Sequence, residues 1–325
     1  MTVVAETIDR GLEIAIAPSF TRIGYEVRSR LFHWTPVDDI SGRVVVMSGA
    51  TSGIGRAAAE TLVAAGATVE VIARDAERAT RTCDELNATP GSGSAAFVIA
   101  DTGDLVAIRA AAQQLSERHH GIDVLIHNAG SLDEQRALSP QGIEQTVASQ
   151  VVGPFLLTGL LRPTLREAAP SRVLWMSSGG MYSQPLSVGD LEMGPADYDG
   201  TTAYARSKRA QVTLAEMWAE RLAPDRIVVH AMHPGWADTP GVRASLPTFR
   251  RVLGPLLRSP DQGADTLAWL AADDGEPAGT TGQFWLDRRP RSLHRLPSTR
   301  RSDTPEERQR LWNWCVERSG FDPDE

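Results

Sequence analysis

A tyrosine and a lysine four residues apart have types and spacing that could do chemistry. The stretch TTAYARSKRA, residues 201–210, contains Tyr204 and Lys208, and Lys208 is the only lysine among 33 basic side chains. On a helix the two side chains would share a face. A compact ammonium beside a phenol favours the phenolate, and its pKa can be tuned in a way that a guanidinium does not allow. The pair predicts acid–base chemistry; the alternative is an ordinary surface pair on an amphipathic helix.

From residue 43 onward, short apolar runs alternate with helical patterns that would position such a pair. Candidate strands span 43–48, 68–73, 95–100, 123–128, 172–177, 226–231 and 282–287. Helix-like segments span 54–65, 75–87, 103–119, 141–168, 202–222 and 260–272. Nearly continuous apolar strands are typical of sheets covered on both faces. The order predicts an α/β fold, a Rossmann-type doubly wound parallel sheet of about seven strands.

A glycine-rich loop, SGATSGIG at 48–55, lies between the first predicted strand and the first predicted helix. Its glycines allow tight turns and close approach of a pyrophosphate, and the helix N-terminus supplies unpaired amides. This placement predicts a dinucleotide site, with a flexible structural turn as the alternative. The predicted contacts of this loop are Gly49, Thr51, Ser52, Gly53, Ile54 and Gly55.

The GxxxGxG spacing of the loop resembles the short-chain dehydrogenase/reductase family. HNAG at 127–130 is similar to the family's NNAG, with His127 replacing the first asparagine. Ser178 in MSSGG, the YARSK motif and HPGWADT at 233–239 follow in the family's order, and the resemblance covers about residues 42–290. SSGGM, YDGTTAYARSKR, MHPGWADTP and QGADTLAWLA are most similar to the member 12-like proteins of the family, which also carry an N-terminal extension.

This resemblance implies an oxidoreductase that transfers a hydride between a nicotinamide and an alcohol or carbonyl group. It implies Ser178, Tyr204, Lys208 and Gln150 as the catalytic set. The further cofactor contacts that it implies are Asp101, Asn128, Ala129, Gly130, Tyr204, Lys208, Pro234, Gly235 and Thr239. No metal is expected.

Within that set, Tyr204 would be the general acid or base. An unperturbed tyrosine, with a pKa of about 10, is a poor base at neutral pH. Lys208 and an oxidised nicotinamide would lower that pKa. Ser178 would hydrogen-bond the substrate oxygen as charge develops on it.

Gln150 departs from the family pattern, which commonly has asparagine at this position. In the family the backbone carbonyl of that residue holds a water that links the lysine to solvent. Pro154 has no amide to bond back to the carbonyl of Gln150. We therefore expect a free carbonyl here and a relay that survives the side-chain change.

The end of the second predicted strand bears on the choice of cofactor. Ala73 stands where a carboxylate would bind the adenosine ribose of NAD. Arg74 could pair with the 2′-phosphate of NADP, and Ser52 could add a hydroxyl donor. NADP(H) is therefore expected to be preferred over NAD(H), an ordinary arginine at a strand end being the alternative.

Two loops are expected to line the substrate site. Residues 180–200 lie between Ser178 and Tyr204, and residues 240–260 follow the PG motif; both are rich in apolar side chains. They favour an apolar alcohol, ketone or aldehyde over a sugar phosphate, unless they simply pack on the core. The competing functions are a cofactor-binding regulator that no longer turns over and a sugar-nucleotide epimerase.

Composition bounds the remaining expectations. The net charge of −8 over 325 residues argues against nucleic acid, and two scattered cysteines fit a reducing, cytoplasmic compartment. The expected divisions are an N-terminal helical extension, 1–41, which packs on the domain or rests on a membrane surface, the Rossmann-type domain, 42–290, and a tail with a helix, 291–325. An arginine cluster at 288–301 is interpreted as a solvated tail over an acidic body. A homodimer through 141–168 and 202–222 is possible, although the tail could cover that surface.

Overall fold

The computed structural model describes residues 3–321, in which eight strands form a single sheet. Their spatial order is β3-β2-β1-β4-β5-β6-β7-β8, all neighbours being parallel except β7 and β8. After β3 the chain returns to the other side of β1 and adds β4 there, so the direction of strand order reverses between β1 and β4. Doubly wound sheets bind ligands at this switch point. The strands are β1 Val44–Ser48, β2 Thr68–Ala73, β3 Ser94–Ile99, β4 Val124–His127, β5 Ser171–Met176, β6 Ile227–Met232, β7 Gln283–Leu286 and β8 Arg289–Pro290. The predicted fold class is confirmed.

Helices cover both faces of the sheet and bury one apolar cluster on each. Side-chain caps begin several of them, including Asp75, Asp104 and Asp199, whose carboxylates accept amides of the first turn. The helices are α1 Val3–Ile14, α2 Ala17–Phe20, α3 Arg22–Leu31, α4 Gly53–Ala64, α5 Ala76–Asn87, α6 Leu105–Arg118, α7 Gln145–Val147, α8 Gly153–Glu167, α9 Gly200–Leu222, α10 Pro240–Ser245, α11 Pro247–Leu253, α12 Pro260–Ala272, α13 Pro297–Ser302 and α14 Pro305–Ser319. Among the described residues, none of these helices is long and apolar enough to cross a membrane.

Two local predictions differ from the structure. The segment 141–168 is not one helix, because a π-helical turn, Ala148–Val152, separates α7 from α8. Such turns widen the hydrogen-bonding pattern and are frequent at functional sites. The short strand β8 is also additional to the seven that the apolar runs indicated.

The arginines at 288–295 are not a solvated tail, whereas Arg300 and Arg301 are exposed. Arg288 pairs with Asp265, Arg291 with Asp9, and Arg295 with Glu13. Asp265 of α12 and the carboxylates of α1 thus neutralise residues 288–295, and the pairs with Asp9 and Glu13 tie the N-terminal helices to this segment. The prediction failed because acids separated by almost 300 positions cannot be matched to the arginines from the sequence alone.

The tail helix α14 packs on α8 and α9. The Trp312 ring lies 5.0 Å from that of Phe155 in α8 and 4.9 Å from that of Trp218 in α9. Farther along, Phe321 fills the space beside Gly159, where an added Cβ would lie 2.2 Å from the Phe321 ring. The chain itself therefore covers the surface through which a homodimer was considered.

Candidate active site

The glycine loop is built from backbone in close contact. Gly49 has a φ of +72°, and a Cβ there would lie 2.7 Å from Ala129 Cα. Gly55 packs closer still, because its Cβ would meet the Gly49 carbonyl oxygen at 2.2 Å and Asn128 Nδ2 at 2.3 Å. Asn128 Nδ2 donates to the carbonyls of Ser48 and Gly49, at 3.2 and 3.0 Å. The loop after β1 and the loop after β4 thus form one unit, in which only glycine fits at positions 49 and 55.

The first turn of α4 opens toward this unit. Ser52 is the N-cap residue in extended conformation, and its side chain makes no capping hydrogen bond. The amides of Gly53, Ile54 and Gly55 therefore lie at a helix N-terminus where an anion is stabilised by unpaired donors and the helix dipole. This geometry suits a pyrophosphate.

Ser178, Tyr204 and Lys208 meet at the carboxyl ends of the strands. Ser178 follows β5 and its hydroxyl accepts the Gly180 amide at 3.2 Å. Tyr204 and Lys208 lie one turn apart on α9, with Lys208 Nζ 5.2 Å from the centroid of the tyrosine ring. Lys208 is buried, and Nζ donates to the Met176 carbonyl at 2.9 Å. The structure thus brings together the three residues whose roles remain predictions.

Burial governs the charge states of the pair. It lowers the pKa of Lys208 to about 7. It also raises the pKa of Tyr204, although a hydrogen bond with Ser178 works in the opposite direction. The expectation that Lys208 and an oxidised nicotinamide together lower the pKa of Tyr204 stays a prediction.

The backbone carbonyl of Gln150 is not free, contrary to the expectation drawn from Pro154. It accepts a hydrogen bond of 2.7 Å from Gln211 Nε2, which reaches across from α9. The Gln150 side chain donates through Nε2 to the Ser131 carbonyl at 2.8 Å, while its Oε1 is buried without a hydrogen-bond partner in the described structure. Gln211 was missed because helix spacing does not show which buried amide reaches a facing carbonyl.

The unpartnered amide oxygen and the lysine lie behind the same glycine. A Cβ added to Gly130 would start 3.1 Å from Gln150 Oε1 and 3.1 Å from Lys208 Nζ. Gly130 itself is exposed, and Lys208 forms no ion pair within residues 3–321. A buried amine and an orphaned acceptor behind an open glycine fit the hydroxyl groups of a cofactor ribose.

An open cleft of about 610 Å³ continues along the same edge of the sheet. Arg74 and Asp101 line it where β2 and β3 end, and the loop 132–137 forms its other side. Arg74 is exposed, whereas Asp101 accepts the Gly103 amide at 2.8 Å. The residues that are present here fit the adenosine half of a dinucleotide.

Loop 233–239 closes the opposite side of the site. Gly235 has a φ of +73°, and its Cβ would lie 2.4 Å from Arg258 Nε, so glycine is required. Thr239 caps α10 by accepting the Val242 amide at 3.2 Å. Its side chain lies beside Gly53, 3.4 Å from the position of an added Cβ. The PG motif therefore adjoins the glycine loop, as the predicted cofactor contacts require.

His127, the replacement in the HNAG motif, has a structural environment. Its Nε2 hydrogen-bonds Thr158 Oγ1 at 2.7 Å, and its ring packs on Trp175 at 4.5 Å. Burial lowers the pKa of His127 to about 3, so the imidazole is neutral. Histidine at position 127 thus leaves the adjacent Asn128 in contact with the glycine loop.

The fold and this edge of the sheet define a nicotinamide-dependent oxidoreductase. The family model described as short chain dehydrogenase matches residues 43–248. The chain belongs to the short-chain dehydrogenase/reductase family, and member 12 proteins of that family are among its curated relatives.

Curated and solved relatives agree with this assignment. The chain is 38% identical over 295 residues to the human Dehydrogenase/reductase SDR family member 12, covering 90% of this chain and 91% of the relative. It is 32% identical over 288 residues to mouse Polyprenol dehydrogenase, covering 85% and 84%. The solved RhlG/NADP active-site complex of Pseudomonas aeruginosa matches with a TM-score of 0.63 and 27% identity, covering 77% of this chain and 96% of that one. This likeness supports a nicotinamide cofactor.

Proposed function

We propose that this protein is an NADP(H)-dependent oxidoreductase that interconverts an apolar alcohol and its ketone or aldehyde, with Tyr204 as general acid or base. The observation that carries the proposal is the buried Lys208 amine beside Tyr204, directly behind Gly130 and without an acidic partner among residues 3–321. A structural lysine so deeply buried would be expected to have a carboxylate partner.

In the reductive direction, the bound dinucleotide supplies the hydride that reaches the carbonyl carbon. The carbonyl oxygen accepts hydrogen bonds from the hydroxyls of Ser178 and Tyr204, which fix its position and stabilise the developing negative charge. Tyr204 gives its proton to that oxygen, so the alkoxide leaves as an alcohol. Lys208, in its protonated form, then stabilises the phenolate that remains.

The cofactor preference rests on the end of β2. Ala73 offers no carboxylate to a ribose diol, and the exposed Arg74 lies in the adenosine cleft, where it can pair with a 2′-phosphate. The acids Asp133 and Glu134 on the other side of the cleft would oppose a phosphate placed near them. The guanidinium of Arg74 therefore has to provide the preference for NADPH.

An apolar substrate is favoured by the walls of the site. Trp236 and Phe249 pack edge to face at 5.3 Å between loop 233–239 and α11. Met181 and Met193, in the loop between Ser178 and Tyr204, are buried, and Met181 belongs to the core behind that loop. Such walls desolvate an apolar molecule and offer few partners to a polar one. A relative named Polyprenol dehydrogenase is consistent with this substrate class.

A cytoplasmic location is part of the proposal. Cys83 and Cys315 are both buried free thiols. This pattern fits a reducing compartment.

A matched set of cofactor titrations and turnover assays tests the function. NADPH and NADH are titrated against the unmodified chain and Arg74→Ala, and NADPH oxidation is followed with aliphatic, aromatic and terpenoid carbonyl compounds. NADPH should bind more tightly, and Arg74→Ala should narrow the gap by roughly 1–3 kcal/mol, the range for hydrogen bonds to charged groups. Equal affinities would refute the NADP preference, and tight cofactor binding without turnover of any carbonyl would favour a regulatory protein.

A further inference from the structure

The N-terminal helices place one aromatic ring between two loops of the candidate active site. Phe20, the last residue of α2, is 3% exposed. Its ring centroid lies 4.5 Å from that of His233 and 5.6 Å from that of Trp236. On the other side, a Cβ at Gly179 would lie 2.9 Å from Phe20 Cε2. Because Gly179 follows Ser178, a single side chain contacts both the serine loop and loop 233–239.

Backbone hydrogen bonds hold the same region together. The Trp236 amide donates to the Phe20 carbonyl at 2.7 Å. Arg258 Nε donates to the carbonyls of Phe20 and Thr21, at 3.1 and 3.2 Å, and Arg258 Nη1 donates to the Pro234 carbonyl at 3.2 Å. The backbone of Arg258 also pairs with loop 233–239, through its amide to the Trp236 carbonyl at 2.8 Å. Loop 233–239 is therefore fixed from two sides.

A buried ionic cluster anchors this arrangement to the sheet. Asp287, just after β7, is fully buried and accepts Arg258 at 2.6 and 2.9 Å and Arg28 at 2.7 Å. Arg28, in α3, also pairs with Asp9 at 2.6 Å and Glu13 at 2.8 Å. Buried charges are tolerated only when oppositely charged partners meet them in good geometry. The cluster therefore fixes the position of α1–α3 against the sheet.

We infer that α1–α3 support the active site from behind, with Phe20 as a positioning residue that sets the separation between the Ser178 loop and loop 233–239. The inference rests on the proposed function, since these loops present Ser178 to the substrate and Thr239 to the nicotinamide. Phe20 is behind the walls and acts through them. Displacements of the order of an ångström at a reacting centre can cost about a hundredfold in rate, so packing behind these loops matters for turnover.

The test compares two identical substitutions at buried phenylalanines. Phe20→Leu removes the ring between the loops, whereas Phe155→Leu removes a fully buried ring that contacts Trp218 and Trp312 instead. Amide hydrogen exchange over 233–239, thermal melting, NADPH affinity and turnover are measured for both full-length variants. If Phe20→Leu is too unstable to purify, Phe20→Met makes a smaller change at the same site.

For the same loss of melting temperature, amide exchange in 233–239 should be at least about threefold faster in Phe20→Leu than in Phe155→Leu. The reason is that loss of the Phe20 ring should open loop 233–239 locally. Turnover should fall about tenfold, with the affinity for NADPH changed less than about threefold. Equal exchange in the two variants, or full turnover in Phe20→Leu, overturns the inference. If the unmodified chain reduces no carbonyl, the proposed function fails, and hydrogen exchange alone still decides whether Phe20 positions the loop.

Discussion

The glycine loop at 48–55 and loop 233–239 flank the same site, but different contacts hold them. The first is backbone against backbone, with Gly55 and Gly49 packed so closely that no Cβ fits. The second is held by large buried side chains, above all Phe20 and Arg258, which come from distant parts of the chain. The cofactor side should therefore be sensitive to any atom that is added, and the substrate side to atoms that are removed.

Gly55→Ala should have the largest effect. The new methyl group would lie 2.2 Å from the Gly49 carbonyl oxygen, so the loop must shift away from Asn128. We expect NADPH affinity to fall at least about a hundredfold, roughly 3 kcal/mol. Gly11→Ala, a helical glycine with nothing within 4 Å of its added Cβ, is the control and should bind normally. Isothermal titration measures both, and normal binding by Gly55→Ala would disprove the tight packing.

Lys208→Met should stabilise the protein in a pH-dependent way. The pKa of Lys208 falls from its ordinary 10.5 to about 7 in the fold, so the unfolded chain binds the extra proton between these values. The unmodified protein therefore pays for this burial most fully at and below pH 7, and the cost disappears as pH rises toward 10.5. The variant's advantage in unfolding free energy should be on the order of 4 kcal/mol at pH 7 and vanish near pH 10.5.

Denaturant unfolding at several pH values measures that difference, because every other titrating group is common to both proteins. An advantage that does not change with pH would mean that Lys208 has an ordinary pKa. Lys208→Arg is a poorer probe, since Lys208 is buried and a larger planar guanidinium there would strain its surroundings.

Gln150→Ala should lower turnover more than Pro154→Ala, the reverse of what a free carbonyl implies. The Gln150 carbonyl already accepts Gln211, whereas its side chain secures Ser131 and directs Oε1 toward the space behind Gly130. We expect turnover to fall about tenfold in Gln150→Ala, which removes a buried hydrogen-bonding side chain, and less than about threefold in Pro154→Ala, which removes none. Steady-state turnover at saturating NADPH measures both variants, and the opposite order would restore the backbone carbonyl as the relay.

The smallest expected effect concerns assembly. Since α14 covers α8 and α9, the chain should be a monomer in light scattering at micromolar concentration. Trp312→Ala uncovers part of that surface and should give partial self-association. A stable dimer of the unmodified chain in which 153–167 is protected from amide exchange would contradict this assignment.

The sequence was informative where local patterns carry the structure. Apolar runs placed the strands to within about two residues, and the glycine, NAG, serine and PG motifs follow β1, β4, β5 and β6 at the carboxyl ends of the sheet. It was uninformative where contacts span most of the chain. Nothing in APSF at 17–20 indicates that Phe20 packs behind Ser178, and nothing in Arg295 indicates that it pairs with Glu13.

The π-helical turn at 148–152 lies between these two cases. Pro154 correctly indicated that the hydrogen-bonding pattern is disturbed, but not that Gln211 on α9 would take the exposed carbonyl. Such partners are decided by tertiary packing, which outweighs local preference.

Transfer of deuterium from 4-deuterated NADPH to an apolar carbonyl compound, compared between the unmodified chain and Tyr204→Phe, tests the central claim most directly. The unmodified chain should place the label on the carbinol carbon. The variant should bind NADPH within about threefold of normal and lose at least about a hundredfold in rate, because it lacks the proton donor. Label transfer at an undiminished rate by Tyr204→Phe, or no transfer by the unmodified chain to any carbonyl tested, would contradict the account.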